Sequence, residues 1–424
     1  MASHRRQSVS LEGAAQLLRP GEDGLQHFRG PEQLRAQTLD PGDLCVRDGG
    51  IAALSRDPRA ELRIDCNGCA VIPGFVDCHT HLPFAGWRAA EYEQKLTGVP
   101  YEKISRSGGG IKSSARALVS MSDEQVLAQA TDLAAEMLAS GTTTLECKSG
   151  YGLARDAELR SLRLARELAG RVAQTTLSTA LLAHSVPDGY EPSTWMDVVE
   201  EMMPEVMELG TVSALDIFVE SIAFGLPELE RMGAVASAAG LALRVHGEQL
   251  SCMRSVPVAL RAGARSIDHL SQIHSDDIGP LADAACGAVL LPAAEFLGAE
   301  HRAPGRALVD AGAIVVLATD GNPGTAPVFS MPLVIGLAAR LYGFGVLETL
   351  GMATLNAAWV LDMAHDRGSI ESGKRADLLV LDGPVDSIAY RFGRDPVALV
   401  LIGGEPVYVR DEAAAARLSY REPA

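Results

Sequence analysis

From Val71 onward, short apolar runs alternate with longer stretches whose apolar residues recur every three or four positions. The short runs fall at 71–78, 142–147, 174–183, 214–219, 241–245, 265–268, 287–292 and 313–318. Between them the 3.6-residue period predicts helices over 122–139, 154–168, 193–209, 226–239 and 252–262. Strands that are apolar along their whole length belong in a parallel sheet covered on both faces. About eight such units over roughly 250 residues match an α/β fold of the (β/α)8 TIM-barrel type. A doubly wound open sheet is the structural alternative. No Gly-x-Gly-x-x-Gly follows the first strand, which argues against its dinucleotide-binding form.

The two ends of the chain read differently. Residues 43–54 form an expected hairpin turning at Asp48-Gly49-Gly50, and Glu61-Leu-Arg-Ile64 alternates like a half-buried strand. The polar stretch before Asp43 predicts no element. Beyond the eighth strand lie a helical region at 329–364, a turn and strand over 366–381, and a hairpin over 399–409 turning at Gly403-Gly404. The expected organisation is a barrel of residues 71–366, with 1–70 and 367–424 joining in a small composite β-sandwich domain.

A barrel keeps its chemistry where its strands end. The first strand closes with His79 and His81, which project to one side because side chains alternate along a strand. The second leads through Glu146 and Lys148 to Ser149-Gly-Tyr151-Gly, the third closes with His184 and the fourth with Glu220. The fifth ends in His246-Gly-Glu248-Gln249, the sixth in Asp268-His269 and the eighth in Asp320-Gly-Asn322-Pro-Gly324-Thr325. Five of the ten histidines thus fall at strand ends. His79, His81, His246 and Asp320 can converge as three imidazoles and a carboxylate, leaving a coordination position for water. Such a metal ion lowers the pKa of bound water and polarises a carbonyl. Asp320 is placed to shuttle the proton and His269 to polarise the carbonyl or steady the water. No lysine closes the third or fourth strand where carboxylation could bridge two ions, so a single metal is expected. Lys148 reads as a loop or structural residue.

Composition narrows the class. With 424 residues, 47% hydrophobic and 5% aromatic, the chain can fill one large core or two smaller ones. A net charge of −17 offers no general attraction to nucleic acid or anionic membrane, so an anionic substrate needs a local positive clamp. The start, Met-Ala-Ser-His-Arg-Arg-Gln-Ser, has no apolar stretch of signal-peptide length, and a cytoplasmic protein is expected. Seven scattered cysteines fit reduced thiols, with Cys66-Asn-Gly-Cys69 as incidental residues of a turn.

These residues resemble the amidohydrolase superfamily through Pro73-Gly-Phe-Val-Asp-Cys-His-Thr-His81, Val245-His246, Asp268-His269, Ala318-Thr-Asp320 and Gly368-Ser-Ile-Glu-Ser-Gly-Lys-Arg-Ala-Asp377. Further segments resemble its imidazolonepropionase family: Phe84-Ala-Gly-Trp-Arg88 with Glu91 and Glu93, Gly98-Val-Pro-Tyr101, Gly108-Gly-Gly-Ile111, Lys148-Ser-Gly-Tyr-Gly152, Ala183-His184 and Thr319-Asp-Gly-Asn-Pro-Gly324. The resemblance implies hydrolysis of 4-imidazolone-5-propanoate to N-formimidoyl-L-glutamate in histidine degradation. It implies one zinc or iron ion on His79, His81, His246 and Asp320, and a homodimer. Arg88, Tyr151 and His184 would hold the substrate, with Arg88 gripping its propionate bidentately. Asn322, Gly324 and Thr325 would contact the carboxylate or product side, and Tyr101 is a further contact candidate. Some family members carry a Glu three residues after the fifth-strand His. Here Gln249 stands there, unable to act as a base but able to orient the ring. Another amidohydrolase, acting on a cyclic amide or a purine or pterin ring, would share the ligands and differ in its loops. A non-catalytic scaffold on this barrel would lose metal ligands, all of which are kept here.

Overall fold

The computed structural model describes residues 7–298 and 301–420, so residues 1–6 of the start just discussed lie outside it. The chain divides into two compact units. One comprises Met1–Asp77, Ala135–Thr144 and Ser330–Ala424, the other Cys78–Ala134 and Leu145–Phe329.

The first unit is built on a nine-stranded sheet to which both ends of the chain contribute. Its spine is Val9–Arg19, an 11-residue strand in the stretch that predicted no element. That strand pairs antiparallel with Thr38–Arg47, and parallel with Leu62–Asp65 and Ala70–Pro73. Leu378–Leu381, Val397–Ile402 and Glu405–Val409 extend the sheet antiparallel from Ala70–Pro73. The register shifts between Leu11 and Ala14 and again between Ala14 and Leu17. These bulges break the period-two pattern, which is why the strand is invisible to an alternation test. Val9, Leu11, Leu44, Leu62, Ile64, Val380 and Leu399 meet in one buried core, each contributing about 1.5–3 kcal/mol by leaving water. Cys66 and Cys69 lie in that core, where the Cys69 amide closes a turn onto the Cys66 carbonyl at 2.9 Å.

The eight strands of the barrel are Phe75–Asp77, Thr142–Lys148, Thr175–Ala183, Val212–Val219, Ala242–Gly247, Ala264–His269, Gly287–Leu290 and Ile314–Leu317, neighbours in the sheet in chain order. All agree with the apolar runs to within a few residues except the first. The run expected as one strand over 71–78 is divided at Gly74: Ala70–Pro73 joins the nine-stranded sheet and Phe75–Asp77 begins the barrel. A Cβ on Gly74 would lie 2.3 Å from Thr143 Oγ1, so only glycine fits where the chain changes sheets. The helices Asp123–Ala139, Arg155–Leu168, Pro192–Glu208, Leu226–Ala239 and Ser255–Arg261 follow the predicted stretches. Beyond the strand ends, Thr80 bridges Gly321, which draws together the tails of the first and eighth strands. Among the described residues no helix is long and apolar enough to cross a membrane.

Candidate active site

The bridged tails carry His79, His81 and Asp320. The Asp320 amide donates to the His79 carbonyl at 3.0 Å, and the His81 amide to the Gly321 carbonyl at 3.0 Å. Asp320 has φ +56° and His269 φ +80°, left-handed conformations that side-chain-bearing residues rarely adopt. Each costs about 1–3 kcal/mol and persists where surrounding structure dictates it. Here the turn directs each side chain at the strand end.

His79 Nε2 lies 3.5 Å and His81 Nε2 3.3 Å from Asp320 Oδ1. Donors about 2.05 Å from a tetrahedral ion stand roughly 3.3 Å apart, so these spacings suit a shared cation. Donors of His79, His81 and Asp320 all lie within 4.8 Å of one another, and so do those of His79, His246 and His269. Ring centroids put His246 4.4 Å from His79 and 5.4 Å from His269. His246 Nε2 and Asp320 Oδ2 are buried without a hydrogen-bond partner among the described residues. Buried polar atoms left bare are costly and mark a place for a ligand. The predicted ligands therefore cluster about His79, with His269 inside the same cluster.

Electrostatics sort these groups. Burial pushes the His81 and His269 imidazoles down to about 3, and His184 well below its ordinary value. They are neutral rings with a lone pair to offer. For His79, burial and the Lys148 ammonium act downward, but Asp268 and Asp320 prevail and raise it to about 9. Burial alone would raise Asp320, yet the His79 and His81 rings hold it well below the usual carboxylate range.

Behind the candidate ligands stands a charged layer, of which strand-end reasoning named Glu146, Lys148 and Asp268 without joining them and missed Asp216 and Arg244. Asp268 Oδ2 lies 2.6 Å from His79 Nδ1, and Asp216 Oδ1 3.1 Å from His246 Nδ1. An acceptor at Nδ1 keeps a hydrogen there and fixes each ring with its Nε2 turned toward the cluster. Lys148 is the last residue of the second strand and fully buried, so the loop alternative is corrected. Its ammonium meets Asp216 at 2.7 Å and Glu146 at 3.0 Å, while Arg244 Nη1 meets Glu146 at 2.7 Å. Burial would depress the Lys148 ammonium, but these carboxylates carry it above the usual lysine range. The available signal was a charged residue inside an apolar strand, as at Asp216 in Ala-Leu-Asp-Ile-Phe-Val.

The other expected site residues gather around a small cavity of about 30 Å³. His81, Tyr101, Tyr151, His184, His246, Gln249, His269, Asp320, Asn322 and Thr325 line it. It adjoins a cavity of about 140 Å³, on which Tyr101, Gln249, His269 and Thr325 also border. His184 stacks on His81 at 5.2 Å and its Nδ1 donates to the Gly150 carbonyl at 3.0 Å, which leaves Nε2 as an acceptor. Glu158, also missed, accepts from the amides of Gly150, Gly152 and Leu153 and so shapes the loop that carries Tyr151. Glu248 accepts from the amide and hydroxyl of Ser255, both at 2.6 Å, and faces away from the site. Glu220 is likewise engaged, by the amides of Ser221 and Leu250 at 2.8 Å.

Arg88 and Gly324 line neither cavity but meet each other. The Arg88 amide donates to Pro323, and a Cβ on Gly324 would lie 1.8 Å from Arg88 Nη2. The guanidinium is buried, with Nη1 lacking a hydrogen-bond partner among the described residues and Nε 3.6 Å from Glu91. Asn322 is fully occupied by its own loop. Its Oδ1 accepts from Gly324 and Thr325, and its Nδ2 donates to the Asp320 carbonyl and to Thr325 Oγ1. It organises the loop and has no donor to spare in this conformation.

Comparison with known proteins accords with this geometry. Residues 70–407 match the amidohydrolase family. The imidazolonepropionase of Rubrobacter xylanophilus is 41% identical over 391 residues, spanning 89% of this chain and 93% of its own. That of Deinococcus radiodurans is 40% identical over 370 residues, 86% of this chain and 92% of its own. Among solved structures, a zinc-bound adenosine deaminase from Xanthomonas campestris superposes with a TM-score of 0.68 at 20% identity, covering 96% of this chain and 95% of that one. A triazine hydrolase from Arthobacter aurescens gives 0.71 at 18% identity, covering 97% and 98%. At such identities the structural likeness speaks to fold alone, whereas the sequence relatives reach further: the chain belongs to the amidohydrolase family and, within it, to the imidazolonepropionases.

Proposed function

We propose that the chain hydrolyses 4-imidazolone-5-propanoate at a ring C–N bond to give N-formimidoyl-L-glutamate, using one zinc or iron ion held by His79, His81, His246 and Asp320. The clustered donors and the bare His246 Nε2 support the ligand set, since imidazole and carboxylate suit either metal. When bound, the ion supplies a Lewis acid that activates water at neutral pH. The remaining work falls to the side chains. Asp320 takes the proton from the attacking water and returns it to the departing ring nitrogen. His269, neutral, hydrogen-bonds the carbonyl under attack. Tyr151, His184 and Gln249 orient the ring, and Tyr101 closes over it. Asn322 holds the loop of Gly324 and Thr325 against Arg88, whose guanidinium receives the propionate.

Arg88 is the observation that carries the substrate choice: a buried guanidinium with a nitrogen unpaired among the described residues, in a protein of net charge −17. A purine or pterin ring has no carboxylate for it. The relatives named imidazolonepropionase, at 36–41% identity, favour the same substrate. The test is the spectrophotometric disappearance of imidazolone propionate, with and without chelation and metal restoration. Ammonia release from a purine or pterin, with imidazolone propionate untouched, would overturn the reading.

A further inference from the structure

The carboxylates behind the candidate ligands form a second group with the spacing of a cation site. Donors of Asp216, His246 and Asp268 lie within 4.8 Å of one another, all buried. This group already contains a positive charge. Lys148 Nζ stands 2.7 Å from Asp216 Oδ2, 3.0 Å from Glu146 Oε2 and 3.9 Å from Asp268 Oδ2. The same two aspartates face ring nitrogens, Asp268 on His79 and Asp216 on His246. Arg244 meets Glu146 and the Cys78 carbonyl and also attracts Asp216 and Asp268, but the Lys148 ammonium stands against both aspartates, at 2.7 and 3.9 Å.

We infer that Lys148 is a built-in cation standing where a second metal ion would otherwise sit, and that it positions His79 and His246 through Asp268 and Asp216. One ammonium bridges carboxylates from the second, fourth and sixth strands, and two of those carboxylates fix the two imidazoles. Buried carboxylates facing one another without a counter-charge are strongly unfavourable. Take the ammonium away, and they must either part, turning both rings, or recruit another cation. An ammonium here also explains how a barrel with two clusters of donors can be built for one ion.

The measurement is titration of the metal-free protein with zinc alone against a chromophoric chelator, with bound metal counted by elemental analysis. Wild type is expected to take one tightly bound ion. Lys148→Met, near-isosteric and uncharged, should bind that ion about 10- to 100-fold more weakly, the usual consequence of disturbing residues behind a metal ligand. It should also take up a second equivalent. The double variant Glu146→Gln with Lys148→Met keeps the net charge of the cluster, and on this account it folds and shows the same weakened first site. A folded Lys148→Met protein with one ion bound as tightly as in wild type would overturn the inference. So would a wild type that binds two ions tightly, or a double variant that does not fold. The inference rests on the metal reading above. A wild type that takes up no ion sinks that reading, whereas one tight ion in wild type and in Lys148→Met alike sinks only this one.

Discussion

The proposed function asks Asp320 to do two things, to ligate and to move a proton, and its surroundings suit both. One oxygen lies against His79 and His81 while the other, Oδ2, is bare among the described residues. Asparagine keeps the shape and loses the base, so Asp320→Asn should lower kcat by at least about 10²-fold, the lower range of general-base contributions. Gln249 borders both cavities and offers hydrogen bonds but no base. Gln249→Ala should raise KM by one hydrogen bond's worth, about 0.5–1.5 kcal/mol, with kcat little changed. Steady-state kinetics on the pair decides: loss of kcat at constant KM in Gln249→Ala, with Asp320→Asn active, would reverse the roles. Arg88 belongs to a different class, since on the proposed reading it would meet the part of the substrate that does not react. Arg88→Met removes charge-assisted bonds of about 1.5–3 kcal/mol, roughly 10- to 150-fold in kcat/KM. Gly324 enters through space alone, because its φ is not left-handed and the Cβ of alanine would strike Arg88. Gly324→Ala should therefore mimic Arg88→Met, and the double variant should be no worse than Arg88→Met by itself. Additive losses in that cycle would mean that Gly324 acts independently of the arginine.

The elements that the sequence makes legible are those whose pattern is local and regular. Seven barrel strands read as continuous apolar runs, and the helices between them keep a clean 3.6-residue period. The strand-end histidines were legible for the same reason, because the end of an apolar run locates them. Features that depend on distant partners were not. The first barrel strand is a three-residue piece cut from a longer apolar run by a glycine whose meaning lies in Thr143, some seventy positions away. Lys148 could be read only as a loop or structural residue because its three carboxylate partners come from three different strands. Val9–Arg19 was hidden by its own bulges. Gly13, in the first of them, has φ +71° and donates its amide to Asp43 Oδ1 at 2.7 Å. A Cβ there would sit 2.5 Å from Asn67 Oδ1. Gly13→Ala combines a left-handed backbone with a side-chain clash and should destabilise the protein by about 1–3 kcal/mol. Thermal melts would register this as a lower Tm, with kcat in the folded protein unaffected. An unchanged Tm would mean that the bulge is free to rearrange.

For the molecule as a whole, the question is what the candidate metal centre does for stability as well as for turnover. Three imidazoles and a carboxylate are brought into one buried cluster, and His246 Nε2 and Asp320 Oδ2 find no hydrogen-bond partner among the described residues. Folding thus removes these atoms from water without returning a partner, a penalty of about 1–3 kcal/mol for each uncompensated group. A cation offsets that penalty only in the folded chain, because the ligands converge from strands that are far apart in sequence. An ion bound by the folded state alone stabilises it by RT ln(1 + [M]/Kd), about 4 kcal/mol at a thousandfold excess over Kd. Chelation should accordingly abolish turnover of imidazolone propionate and lower Tm together, and zinc or ferrous iron should restore both. The paired readout separates three cases. Loss of activity at constant Tm would make the ion a reagent that the fold does not depend on. A lower Tm with activity retained would make it structural and remove Asp320 from the chemistry. If neither property responds to a chelator that strips the protein of metal, the histidine cluster at the strand ends is not a metal centre at all.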